Sequence, residues 1–171
     1  MWGDPMSELK DAKTWGGIGS ILTIFGLGFI GFILKLIGIK KISEATGNEE
    51  IYNKYLWAAI LAVIGLLLPL PGLLSGSIAG FGLMGVLAAI LMIVSVYFMK
   101  QSYDMIAEET GVAMFKTAAL LYIIGAVLMI IVIGILLIFV AAILETVAFF
   151  SLPDELPGKK GQTPAEEEVV F

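Results

Sequence analysis

Four stretches of this chain carry almost no charge: Trp15 to Ile39, Tyr55 to Leu70, Ile78 to Met99 and Thr117 to Leu152. Crossing about 30 Å of hydrocarbon takes about 20 mostly apolar residues, and in lipid every backbone polar group must be satisfied within the segment. Together these constraints predict an all-α integral membrane protein with four transmembrane helices. Composition agrees: 59% of the 171 residues are hydrophobic, 15% are charged, and the mean hydropathy is +1.00. Soluble domains are usually about 45–50% apolar and about 25% charged.

The polar remainder excludes several functions. A net charge of −5 argues against nucleic acid, which needs a basic face. With no Cys and no His, thiolate nucleophiles, imidazole bases and the usual ligands of zinc, haem and iron–sulfur clusters are missing. No catalytic, cofactor-binding or metal-ligating residue is therefore assigned, and no cofactor is expected. The first span lacks the embedded carboxylate that a small proton-coupled drug exporter would require.

Residues 1–14 form a polar leader, in which Asp4-Pro5 reads as an N-cap and first-turn proline opening a short interfacial helix over 5–13. Residues 15–152 form the transmembrane domain. Residues 153–171, rich in Pro, Gly, Lys and Glu, read as a disordered tail. Lys35 is expected to snorkel to the interface, and Pro69-Leu70-Pro71-Gly72 to end the second span.

Four crossings place both termini on one side and the loops at 40–54 and 100–116 on the other. Six lysines on the loop side against four on the terminal side favour cytoplasmic loops. The aromatics divide in the same way, Trp15, Phe149 and Phe150 marking one interface and Tyr52, Tyr55, Trp57, Tyr97, Phe98 and Tyr103 the other.

The fourth stretch is too long for one crossing, since about 36 residues would reach about 54 Å. A break near Gly134 would give two short helices, but Ile133-Gly134-Ile135 has no turn chemistry. The expectation is one long fourth helix whose segment Phe139 to Leu152 packs against other copies, making a homo-oligomer. Its single charge, Glu145, is a candidate for pairing with a neighbouring subunit's Lys.

An internal repeat is visible at an offset of 64. Ile42-Ser43-Glu44-Ala45-Thr46-Gly47 returns as Ile106-Ala107-Glu108-Glu109-Thr110-Gly111, both reading I-x-E-x-T-G. It points to a parallel duplication of a two-helix hairpin, with halves of about 15–70 and 78–152. Gly47 and Gly111 read as helix stops in the left-handed conformation. Glu44 and Glu108, with Glu49, Glu50, Asp104 and Glu109, form either an acidic vestibule or a merely solvated rim. Gly16, Gly28, Gly80 and Gly82 sit in small-residue rows suited to close helix packing.

The runs Ala12-Lys13-Thr14-Trp15-Gly16-Gly17-Ile18-Gly19, Ile37-Gly38-Ile39-Lys40-Lys41-Ile42 and Ala148-Phe149-Phe150-Ser151-Leu152-Pro153 resemble the DUF996 proteins. That resemblance spans nearly the whole chain. It implies a multi-helix protein of the archaeal cytoplasmic membrane, without an assigned activity or known site residues. The resulting expectation is a non-enzymatic, homo-oligomeric, multi-pass protein of structural or accessory role, in contact with membrane lipids and open to a further, unidentified membrane partner. The competing reading is an oligomeric channel or transporter with an acidic vestibule.

Overall fold

The computed structural model describes residues 4–128 and 133–157. Among these the secondary structure is entirely helical: α1 Pro5–Ile24, α2 Gly28–Thr46, α3 Glu49–Leu67, α4 Leu70–Leu74, α5 Ile78–Thr110, α6 Met114–Leu128 and α7 Ile133–Phe150. They form three antiparallel hairpins, α1/α2, α3–α4/α5 and α6/α7, closed into a ring by contacts of α2 with α3, α5 with α6 and α7 with α1.

Local chemistry sets the helix ends. Asp4 caps α1, its carboxylate accepting from the Met6 N–H at 3.2 Å with Pro5 in the first turn. The helix then continues through the expected leader, and Leu9 and Ala12 are core residues. The two I-x-E-x-T-G motifs end α2 and α5 in the same way. Gly47 (φ 73°) and Gly111 (φ 75°) are left-handed, and the preceding Thr46 and Thr110 hydroxyls donate back to Ile42 O at 2.9 Å and Ile106 O at 2.6 Å. Asn48 caps α3 and Ser77 caps α5.

The largest departure from expectation lies in the first stretch. It is not a single span but reverses at Phe25-Gly26-Leu27, where Gly26 has φ 85°. What holds α1 against α2 is backbone proximity. A Cβ on Gly38 would lie 2.6 Å from the Gly16 Cα, and one on Gly31 would lie 2.5 Å from the Gly19 carbonyl oxygen. Gly16 also seats the Phe149 ring. The other glycines expected at interfaces do not pack between helices: Gly28 and Gly82 face open space, and Gly80 meets mainly its own cap, Ser77.

The fourth stretch is likewise two helices rather than one long one. Tyr122 on α6 hydrogen-bonds Glu145 on α7, a contact that a continuous helix between residues 23 positions apart would forbid. Within Phe139 to Leu152, Ala141, Ala148, Phe149 and Leu152 are covered by the chain itself, while Phe139, Ile143, Val147 and Phe150 stay exposed.

Among the described residues, two helices remain long and apolar enough to cross a membrane. They are Ile78–Thr110 (33 residues) and Glu49–Leu74 (26 residues), in which the chain resumes a helical turn beyond Pro69 instead of stopping there. The flanking hairpins are shorter: their charge-free arms run for about 7 to 12 residues, or about 10 to 18 Å.

Because every hairpin begins and ends at the same level, the first and last described residues, Asp4 and Pro157, share one end of the bundle with the loops at 47–48 and 111–113. Lys13 pairs with Asp154 at 2.7 Å and Lys41 with Glu8 at 2.8 Å, tying the termini to that end. This overturns the expected alternation of sides. The sequence holds no charge in 14–34, 55–99 or 117–144, so the hairpin tips are uncharged. The proposed tail is also fixed at its start, with Leu152 and Leu156 buried; its remainder, 158–171, lies outside the described residues. The hydrogen bond and charge of Lys13 hold the Asp154 carboxyl below its ordinary range. That contribution to docking is present above the ordinary carboxylate range and fades as pH falls through the lowered value.

The glycine contacts make a prediction. Gly38→Val drives a side chain into the α1 backbone and is expected to destabilise by about 1–3 kcal/mol or more, whereas Gly28→Ala enters open space and is expected to cost nothing or to stabilise by about 0.4–1 kcal/mol. Thermal unfolding in detergent, followed by circular dichroism, measures both. Equal effects would contradict the close packing of α1 on α2.

Candidate functional site

Glu145 is 0% exposed, in the lower half of α7 and facing the centre of the ring. A carboxylate removed from water must be paired and hydrogen-bonded or it is severely destabilising. Here donors arrive from three other helices. Tyr103 on α5 donates to Oε1 at 2.5 Å, Tyr122 on α6 donates to Oε2 at 2.6 Å, and the Lys35 ammonium on α2 lies 3.3 Å from Oε1 and 3.4 Å from Oε2. The partner of Glu145 is thus a lysine of its own chain, not that of a neighbouring subunit.

Lys35 does not snorkel. It is 9% exposed and points inward. One layer of aromatics supports the cluster: Tyr55 stacks on Tyr103 at 5.9 Å between centroids, Tyr103 meets Phe115 edge-on at 5.4 Å, and Phe115 meets Phe149 at 5.2 Å. Tyr55, Tyr103 and Phe149, expected at opposite interfaces, are therefore neighbours in one core. Trp15, Trp57 and Tyr97 do lie exposed on the outside.

Above this layer is a cavity of about 380 Å³, with Lys35, Tyr55 and Tyr122 at its polar end and Phe32, Ala62 and Ile138 among its apolar walls. Two further hydroxyls on its lining are engaged with backbone: Ser95 donates to Ala58 O at 2.8 Å and Thr23 to Gly19 O at 2.9 Å.

The candidate carboxylates of the loops stand apart from this cluster. Glu44 pairs with Lys41 at 3.2 Å and Glu108 with Lys116 at 3.0 Å; Asp104 pairs with Lys100, and Glu109 accepts from the Asn48 amide at 3.2 Å. Lysines and amides thus interleave with the acids, which lowers the negative potential a cation vestibule would need. Gly47 and Gly111 act as helix stops.

Sequence reasoning singled out Glu145 but missed Tyr103 and Tyr122 and gave Lys35 a different task. A signal was available. An acid within an apolar run needs an opposite charge within another, and Lys35 is the cation that interrupts one.

The chain matches the family described as "Protein of unknown function (DUF996)" over residues 27–77 and 69–143. It is also 37% identical over 169 residues to the uncharacterized protein MJ1644 of Methanocaldococcus jannaschii, covering 87% of this chain and 96% of that one. The chain belongs to the DUF996 family. The second match to the family runs from Pro69, just before α4, into α7, so the family pattern includes α5 and Tyr122 on α6 and ends just short of Glu145. No solved structure matches the chain.

Removing one partner of a buried ion pair leaves the other uncompensated, at a cost of about 3–5 kcal/mol, while replacing both by apolar groups is often neutral. Lys35→Met and Glu145→Leu are each expected to lower stability by that order, and the double variant to recover most of it. Tyr103→Phe, which loses a hydrogen bond to a charged group, is expected to cost about 1.5–3 kcal/mol. Denaturation of the four variants in detergent measures the coupling; additive single effects would contradict the pairing.

Proposed function

We propose that this DUF996 protein is a non-enzymatic, multi-pass protein of the cytoplasmic membrane with an accessory role. The α3–α4/α5 hairpin crosses the bilayer, the two shorter hairpins enter it part-way, and the charged end faces the cytoplasm. The observation that carries the reading is segregation: charges gather at one end, while the other end exposes large apolar residues, among them Leu74 at 84% and Ile78 at 89%. Such a surface is at home in lipid and unfavourable in water. All eight described lysines lie at or near the charged end, which the positive-inside tendency assigns to the cytoplasm.

A non-enzymatic role is supported by how Glu145 is used. Its oxygens are engaged by Lys35, Tyr103 and Tyr122, so the carboxylate holds the ring together rather than standing ready as a base. The matching caps at Gly47 and Gly111 support descent from a duplicated hairpin. Self-association would use the outer face of α5, where Gly82, Val86, Ala89 and Ile93 are exposed and small residues allow close approach.

In membranes washed with alkaline carbonate the chain is expected to remain in the pellet, and native mass spectrometry from mild detergent is expected to show more than one copy per complex. Release into the wash would overturn the membrane assignment. A monomer throughout would overturn self-association alone.

A further inference from the structure

We propose that the cavity inside the helix ring binds a neutral, lipid-soluble molecule with an apolar body and one hydrogen-bond acceptor, such as a ketone or quinone-like carbonyl, at its head. The proposal deepens the accessory reading above by giving it a ligand class. At about 380 Å³, with mostly apolar walls and a few polar groups gathered at one end, the space has the ordinary character of a small-molecule site.

The head chemistry follows from what Tyr122, Ser95, Thr23 and Lys35 already do. Tyr122 spends its proton on Glu145, Ser95 on Ala58 O and Thr23 on Gly19 O. Lys35 is different. Its ammonium has three N–H donors, and among the described residues its recorded partner is the Glu145 carboxylate. The cavity therefore offers donors at its polar end, and the complementary head is an acceptor.

Charge selects further. Lys35 and Glu145 cancel, so an anionic head would bring an uncompensated negative charge beside a buried carboxylate, and a cationic head would meet Lys35. A neutral carbonyl accepts from the ammonium without disturbing the pair. The route in is apolar as well, since Ile135, Ile138 and Phe139 line the cavity towards the uncharged end.

The test uses the full-length protein purified in detergent, so it reads the cavity whether or not the membrane orientation above is right. The probe is 4-butylbenzophenone, whose carbonyl is both the acceptor and the photoreactive centre. Crosslinks are expected near Lys35, on Phe32, Ala58 or Met99. They are expected to fall about tenfold with excess decan-2-one but not with decane or decanoate. Ala62→Phe, which fills the wall, is expected to abolish them, and Leu83→Phe on the outer face of α5 to leave them unchanged. Crosslinks scattered over outward-facing residues, or displaced as well by decane as by decan-2-one, would overturn the proposal. If Ala62→Phe fails to fold, the wild-type competition alone decides.

Discussion

A carboxylate placed among apolar helices has to be matched from the inside, and in this chain the match recruits every hairpin. Glu145 and Tyr122 belong to α7 and α6, Tyr103 to α5 and Lys35 to α2. One side chain thereby fixes the relative rotation of three otherwise separable units. Because hydrogen bonds are directional and Glu145 is buried, sliding any hairpin by a helical turn would take at least one partner from the carboxylate.

Apolar burial does less here than in a soluble core of this size. The buried residues concentrate near the charged end, around Tyr55, Tyr103, Phe115 and Phe149, while the hairpin tips expose Phe25, Phe29, Leu74 and Ile78. Wherever such side chains face lipid they gain little by being covered, and helix association there relies on close contact and polar matching. The α1/α2 hairpin uses the first, through Gly16, Gly19, Gly31 and Gly38. The Glu145 cluster uses the second, and the ion pairs of Lys13 with Asp154 and Lys41 with Glu8 close the charged rim.

Helical class, the cap at Asp4-Pro5 and the stops at Gly47 and Gly111 were legible in the sequence because each is a local matter of turn and cap chemistry. The fold-backs were not. In a membrane sequence, glycine inside an apolar run usually belongs to a helix, and nothing local distinguishes Gly26, which turns the chain at φ 85°, from Gly31, which packs inside α2. Reading Trp15 to Ile39 as one span then put the two ends of the chain opposite the loops at 47–48 and 111–113 and separated Tyr55 and Tyr103 from Phe149. Glu145 stood out because a lone acid in an apolar run is conspicuous, but its partners lie 23, 42 and 110 positions away and become neighbours only once the hairpins form.

Asp4, Pro157 and both inter-hairpin loops share one end of the bundle. Since the chain has no Cys, single cysteines report position without background. Asp11→Cys, Asn53→Cys and Ser75→Cys, all at exposed positions, can be treated with a membrane-impermeant maleimide in vesicles of known orientation. The three-hairpin arrangement predicts that positions 11 and 53 react from the same side and that position 75 does not react from that side. Labelling of positions 11 and 53 from opposite sides would contradict it and restore a continuous span from Trp15 to Ile39.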